Sequence, residues 1–384
     1  MTVRLRGMTW NHSRGYVSVV ATAQRFAELH PDVEIVWEKR SLQQFADEPI
    51  EALAEEYDLL VIDHPWAGFA AANKVLIPLN EHLPEEYLAD QAAHSVGKSH
   101  ESYHFDGYHT ALAIDAATPV ASYREDLLKR EGLDLPATWE DLLALAERGK
   151  VAIPAIPIDS LMNFYMMCVT LGEEPFLDQD VVVSRETGSL ALDLLRELAS
   201  KCSSEIFGWN PIRVYEALSS RDDLVYCPFA YGYSNYAREG YAPNRLKFTD
   251  LVEIKGRGKL RSTLGGTGLA ISARCRHLET ALEYAAFTAS PECQRTLYVT
   301  SGGQPGHRSA WFDEEANRLT NNYFRDTLPA LDRAYLRPRY NGYLHFQDHA
   351  GDLVRDYMMN GGSVDRVLEG MNRLYRESKQ GGKA

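Results

Sequence analysis

The chain has 384 residues, too many for one compact core and enough for two domains of ordinary size. With 45% hydrophobic and 24% charged residues its composition excludes a disordered chain. A formal net charge of −14 argues against a nucleic-acid surface, and no run of about 18 apolar residues offers a membrane span.

In chain order, "MTVRLRG" carries positive charge but alternates polar and apolar residues, as a strand does. A secretory leader would need an apolar run of roughly 7–15 residues there. The expectation is a cytoplasmic protein as the chain stands, or a periplasmic or extracellular one if a leader has been removed. The five cysteines, Cys168, Cys202, Cys227, Cys275 and Cys293, show no C-x-x-C spacing and are odd in number. Packed, reduced thiols are expected, which favours a reducing compartment.

"VRLRGMTW" reads as a first strand, and "YVSVVATAQRFAELHP" as a helix with apolar residues at helical spacing, stopped by Pro31. "VEIVWEKR" is a second strand, "PIEALAEEY" a helix, and "DLLVIDHPW" a continuous apolar strand of the kind buried in parallel sheets. Strands alternating with helices predict a doubly wound α/β domain, where ligands collect at the carboxyl ends of the strands. The three strand ends, "TWNHSRGY", "EKRS" and "DHPW", are polar and aromatic. Further on, "LPATWEDLLALAERG" opens a helix with Thr138 as N-cap and Asp141 three residues later, a capping-box pattern. "SLALDLLRELASKC" is another helix, "DLVYCPFAYGYSNY" a strand, and "LRSTLGGTGLAISARC" a glycine turn entering a strand.

Several of these passages, in this order, resemble the extracellular solute-binding proteins of ABC importers, in particular the family 1 type that includes sugar receptors. They are "MTWN", "RFAELHPDVEIVWE", "YDLLVID", "AATPVASYREDLLKREGLDLPATWEDLLALAE" and "GGTGLAISARCRHLETALEYAAFTASPECQRTLYVTSGGQPGHRSAW". The resemblance implies a periplasmic-binding-protein-like clamshell of two lobes, each a doubly wound α/β sheet, with a ligand cleft between them and hinge closure. Lobe one would hold residues 1–113 plus 264–308, and lobe two 114–263 plus 309–384 with the C-terminal helices. The implied function is binding of a small polar ligand, an organic acid or carbohydrate-like molecule. The implied partners are that ligand and, if the protein is exported, an ABC permease; neither nucleic acid nor membrane insertion is expected.

Candidate ligand contacts come first from the strand ends. Trp10, Asn11, His12, Ser13, Arg14 and Tyr16 form the first loop, where free backbone N–H groups at a helix start suit an anion. Core packing for Trp10 and a capping role for Ser13 are the structural alternatives. Arg40 beside Lys39 would complete a carboxylate fork with Arg14, favouring an organic acid over a neutral sugar. Asp63, His64 and Trp66 end the third strand: a carboxylate for hydroxyls and an aromatic face for a sugar ring, or an Asp that caps the next helix.

The resemblance adds Asp115 in the crossing segment and tyrosine platforms at Tyr231 and Tyr233, within the cluster that also holds Tyr236. Gly266 and Thr267, in "GGTG", would offer backbone amides. The rival function is a cytoplasmic enzyme acting on a small carboxylate or carbonyl metabolite, with His12, Asp63 and His64 as proton-handling groups. His345 and His349 sit one helical turn apart but lack the H-E-x-x-H glutamate, so neither a metal nor a cofactor is expected. No G-x-S-x-G, dinucleotide or catalytic-cysteine signature is found.

Overall fold

The computed structural model describes residues 2–41, 44 and 49–380. In chain order the elements used below are β1 (Val3–Trp10), α1 (Ser13–Leu29), β2 (Val33–Arg40), β3 (Leu59–Ile62), α2 (Glu85–Ala93) and β4 (Leu112–Ala117). Then come β5 (Pro119–Tyr123), α3 (Pro157–Leu171), α4 (Arg185–Ser200), β6 (Tyr226–Tyr231), β7 (Lys247–Thr249) and β8 (Gly265–Ile271). The C-terminal part supplies α5 (Leu278–Ala289), α6 (Tyr323–Asp332), α7 (Tyr343–Asn360) and α8 (Val364–Gln380). No described helix is long and apolar enough to cross a membrane.

The chain divides into two compact units. The first comprises Met1–Ala117, Gly265–Arg325 and Arg339–Asn341; the second comprises Thr118–Leu264, Asp326–Pro338 and Gly342–Ala384. The polypeptide therefore passes between units several times. The divisions differ from the expected lobes at residues 114–117, Leu264, 309–325 and Arg339–Asn341. β4, including Asp115, belongs to the first unit because it pairs with β8 there. Residues 309–325 also belong to the first unit. Trp311 is buried there, donates its indole N–H to the Pro305 carbonyl at 2.8 Å, and packs edge-on to Phe324.

The first unit is built on a five-stranded sheet of order β2-β1-β3-β8-β4. β1 runs parallel to β2 over its whole length, from Val3 opposite Val33 to Trp10 opposite Arg40. Side chains alternate along the strands, and both faces are covered. Leu59, Val61, Leu112, Ile114, Leu269 and Ile271 pack with Val19 and Phe26 of α1 and Tyr284 of α5. Leu60, Ile62, Ala113 and Ala270 pack with Ile50, Leu53 and Tyr103 on the other side. That double coverage is why β3 reads as an unbroken apolar run. Each such buried aliphatic side chain contributes about 1.5–3 kcal/mol relative to exposure. α1 presents Val19, Thr22, Ala23 and Phe26 inward at helical spacing, and its last turn closes when the His30 N–H bonds the Phe26 carbonyl. Phe26→Ala would open a cavity there and cost about 3–5 kcal/mol.

The second unit holds a three-stranded sheet of order β6-β5-β7, antiparallel throughout. An isolated parallel bridge joins Val151 to Tyr226. Helices dominate the rest: α7 packs against α3, α4 and α8. The capping box expected at Thr138 is present, with Thr138 accepting the Asp141 N–H at 3.2 Å and Asp141 accepting the Thr138 N–H at 3.0 Å.

Candidate ligand-binding site

β8 runs antiparallel to both β3 and β4, so β4 is parallel to β1, β2 and β3. One edge of the first-unit sheet therefore gathers four carboxyl strand ends and the amino end of β8. Sheets of this kind bind ligands at that edge. Along it lie Asn11 and His12 after β1, Arg40 ending β2, Asp63 after β3, Asp115 near the end of β4, and Gly266 and Thr267 at the start of β8. Five stretches far apart in sequence thus meet on one rim.

The first loop divides between packing and display. Trp10 is only 3% exposed and belongs to the core, its ring pressed so closely on Gly15 that a Cβ there would sit 2.4 Å away. Its expected role as an aromatic face gives way to packing. The N-cap of α1 is His12, not Ser13: the Arg14 backbone N–H donates to His12 Nδ1 at 3.1 Å. Burial, then the Arg14 charge, pushes the His12 imidazole down to about 3, so it is neutral at pH 7. Asn11 is exposed, and Ser13 and Tyr16 are half-buried. Lys39 lies 4.7 Å from the Tyr16 ring centre, a cation–π contact.

Arg14 turns inward. Its Nε donates to Asp115 Oδ2 at 2.8 Å and its Nη2 to Oδ1, a bidentate fork between two buried side chains. Burial drives the Asp115 carboxyl upward, while the Arg14 charge and hydrogen bonds oppose that rise. The expected carboxylate fork of Arg14 and Arg40 toward a ligand thus has its first member engaged by a carboxylate of the protein itself. Arg40 is also buried.

The third strand is shorter than expected, ending at Ile62, because Asp63 caps a short 3₁₀ turn, His64–Trp66, by accepting the His64 N–H at 2.8 Å. His64 is fully buried, edge-on to Tyr103, with its Nδ1 3.2 Å from Asp63 Oδ1. A general base must reach substrate, and a fully buried imidazole does not present itself to one. Asp63 keeps 31% of its side chain exposed, and Trp66 is half-buried with its ring edge-on to Phe69 at 5.5 Å. Together they offer an acceptor and an apolar ring at the rim.

Gly266 has φ +98°, and a Cβ on it would lie 2.4 Å from the Asp115 carbonyl. The glycine is required by backbone geometry at the β8–β4 ladder, where register shifts between Thr267 and Gly268. Thr267 is buried opposite Asp115, and its hydroxyl meets no hydrogen-bond partner among the described residues. In the second unit, Tyr231 shares a hydrogen bond with Thr263 Oγ1 at 2.8 Å, and its carbonyl accepts from the Tyr215 hydroxyl. Tyr233 is buried beside Tyr215, and Tyr236 donates to Glu216. Packing and internal hydrogen bonds account for much of this tyrosine cluster.

One group escaped the sequence reading. Asp159, in the first turn of α3, is 5% exposed, its Oδ2 meets no partner among the described residues, and burial pushes its carboxyl up to about 8. The available signal was an ionisable residue opening an otherwise apolar helix, "PIDSLMNFYMMCVTL".

The family model for bacterial extracellular solute-binding proteins matches residues 21–316. A maltotriose-binding protein of Pyrococcus abyssi is 25% identical over 126 residues, a match spanning 33% of this chain and 26% of that protein. Among solved structures, maltose-bound MalE3 of T. maritima superposes with a TM-score of 0.85 at 16% identity, covering 98% of this chain and all of that one. An ABC transporter solute-binding protein from Agrobacterium radiobacter K84, in complex with ribitol, gives 0.82 at 17% identity over 98% of both chains. One from Thermotoga lettingae TMO, bound to α-D-tagatose, gives 0.81 at 16% identity over 97% of this chain and 100% of that one. The two-lobe periplasmic-binding-protein-like fold class is therefore that of this chain.

Proposed function

The chain belongs to the bacterial extracellular solute-binding protein family, and on that premise we propose that it binds a neutral carbohydrate or polyol, with the strand-end rim of the first unit supplying contacts. The observation that carries the choice of ligand class is the pairing of Arg14 with Asp115. With that guanidinium committed to an internal carboxylate, the argument for an organic acid loses its main cation. What the rim offers instead is Asp63, a partly exposed acceptor, beside the half-buried Trp66 ring. A carboxylate accepts from sugar hydroxyls and repels an anion, and an aromatic face covers the apolar side of a pyranose ring. Maltose, ribitol and tagatose in the structural neighbours lend support, since all are neutral and polyhydroxylated.

An ABC permease is the partner this reading implies, and such a partner is met outside the cytoplasmic membrane. The five free thiols pull the other way, towards a reducing environment. Fractionation of the native host, with the protein located by antibody, tests that point.

The decisive experiment is isothermal titration of the ligand-free protein against maltose, maltotriose, ribitol, mannitol and tagatose, with succinate and citrate as anionic comparators. Micromolar binding of a neutral member supports the reading. Binding confined to the acids, or nothing tighter than millimolar by a folded protein, sinks it. Chromatography of the incubated ligand decides between holding and turnover. The enzyme alternative draws little from the geometry, since His64 is buried and His12 caps a helix.

A further inference from the structure

Three polar side chains of the first unit converge where the segment that flanks β4, with Pro305 bridging Asp115, meets the end of α2. Asp90 and His94 lie one turn apart at the end of α2, and His307 comes from the loop after residue 303. Backbone pairing brings the two segments together. Ser95 forms an isolated antiparallel bridge with His307, the Arg308 N–H donates to the His94 carbonyl at 2.7 Å, and the Val96 N–H to the Gly306 carbonyl at 3.3 Å. The His307 loop is held from its other side by Gln294, whose Oε1 accepts the Gly306 N–H at 2.8 Å. The result is a near-parallel stack of the His94 and His307 rings, 5.2 Å between centres and 14° between planes. One potential ligand atom from each of Asp90, His94 and His307 lies within 4.8 Å of the others.

His307 supplies the second observation. It is 4% exposed, its Nδ1 lies 2.8 Å from the Ser309 hydroxyl and accepts the Ser309 backbone N–H at 3.3 Å, and its Nε2 meets no hydrogen-bond partner among the described residues. A buried imidazole nitrogen without a partner is costly unless something binds it. His94 and Asp90 are exposed and already share a contact, His94 Nδ1 to Asp90 Oδ1 at 3.0 Å. The set thus has one buried ligand fixed from behind by Ser309, and two exposed ligands open to solvent for ion entry.

We propose that Asp90, His94 and His307 bind one divalent transition-metal ion of the zinc class. Two imidazoles and a carboxylate suit Zn²⁺, Ni²⁺ or Cu²⁺ and disfavour Mg²⁺ and Ca²⁺, which prefer all-oxygen cages. Three protein ligands leave a coordination position for water. The ion would sit among these ligand atoms, beside the His94 Nδ1 and Asp90 Oδ1 that now stand 3.0 Å apart. Drawing ligand atoms in from 4.8 Å takes only rotation of the two exposed side chains, since the backbone is already registered.

The test uses the untagged full chain, stripped with chelator and titrated with Zn²⁺ by calorimetry and with Co²⁺ by visible absorption. The expected result is one ion per chain with micromolar or tighter affinity, and Co²⁺ bands of a low-symmetry nitrogen–oxygen site. His94→Gln and Asp90→Asn, both at exposed positions, are expected to weaken binding by roughly tenfold or more. The paired change His345→Gln and His349→Gln is expected to leave it unaltered. Unchanged affinity in His94→Gln, or loss of binding in the His345/His349 variant, overturns the assignment. Absence of stoichiometric Zn²⁺ binding to the parent protein overturns it as well. Carbohydrate binding is not read in any arm, so this site and the solute reading stand or fall separately.

Discussion

Arg14 and Asp115, 101 residues apart in the chain, close a bidentate ion pair inside the first unit. Both side chains are out of water, one entering from the first turn of α1 and the other from β4. Desolvating two charges costs several kcal/mol per ion, and only near-ideal geometry offsets it, so the pair's net contribution is small. Its two halves are nonetheless interdependent. Either one alone would be an uncompensated buried charge.

Arg14→Ala is therefore expected to destabilise the protein by about 3–5 kcal/mol, whereas Arg14→Met combined with Asp115→Leu recovers most of that loss. Urea denaturation followed by circular dichroism measures both. If the single and double variants are equally unstable, the pair is not the reason Arg14 is retained.

Asp63 is expected to act in the opposite way, on ligand more than on stability. Asp63→Asn preserves an oxygen for the cap on the 3₁₀ turn, so stability should change by less than about 1 kcal/mol. The charge-assisted hydrogen bonds to sugar hydroxyls would be lost, weakening affinity by roughly tenfold or more. Trp66→Ala should likewise reduce affinity for a pyranose and spare acyclic polyols to a greater degree. Calorimetry on the preferred ligand, paired with melting curves, separates the two effects.

Stability should also fall as pH drops below neutrality, for a reason visible in the histidines. Burial pushes His109 down to about 3 and His100 down to about 4, their rings stacked 4.3 Å apart, and His12 also lies near 3. In the unfolded chain each would take up a proton near pH 6.5. Between that value and the folded one the unfolded state binds more protons, so stability is lost progressively as pH falls from about 6.5 towards 4. Melting temperatures between pH 7.5 and 4.5 should decline, and His109→Gln should flatten that decline. An unchanged slope in the variant would assign the acid sensitivity elsewhere.

Much of the first unit could be read from the chain because its signals are local. β1 opens on a clean alternation and α1 carries its apolar residues at helical spacing, while in the second unit Thr138 with Asp141 announces its own cap. β3 is shorter than its apolar run suggests, since nothing local distinguishes an aspartate that extends a strand from one that caps the next turn. The commitment of Arg14 to Asp115, and of Ser95 to the His307 segment, depends on strand order, which has no local signature. For the same reason no local pattern singles out Asp90 and His94, while His345 and His349 stand out by spacing alone. Asp159 has no signature in the sequence because an acidic residue in the first turn of a helix is ordinary, and only its burial makes it unusual.

That burial sets two effects on Asp159 against each other. A carboxylate in the first turn of α3 gains about 0.3–1 kcal/mol from the helix dipole. Removal from water costs more, and the group is pushed up to about 8 in the folded protein. In the folded state it is thus protonated at pH 7 while the unfolded chain releases the proton near 3.8, so folding is penalised increasingly as pH rises from about 4 through 8. Its contribution runs counter to that of His12, His100 and His109. Asp159→Asn, which keeps the shape and removes the titration, is expected to stabilise the protein at pH 7 by on the order of 3 kcal/mol. The gain should shrink towards pH 4. Urea unfolding of both proteins at pH 4.5, 6 and 7.5 checks the trend. A variant less stable than the parent at pH 7.5 would mean instead that the carboxylate is ionised and held by a bound group, which titration with the preferred sugar would then reveal as a loss of affinity.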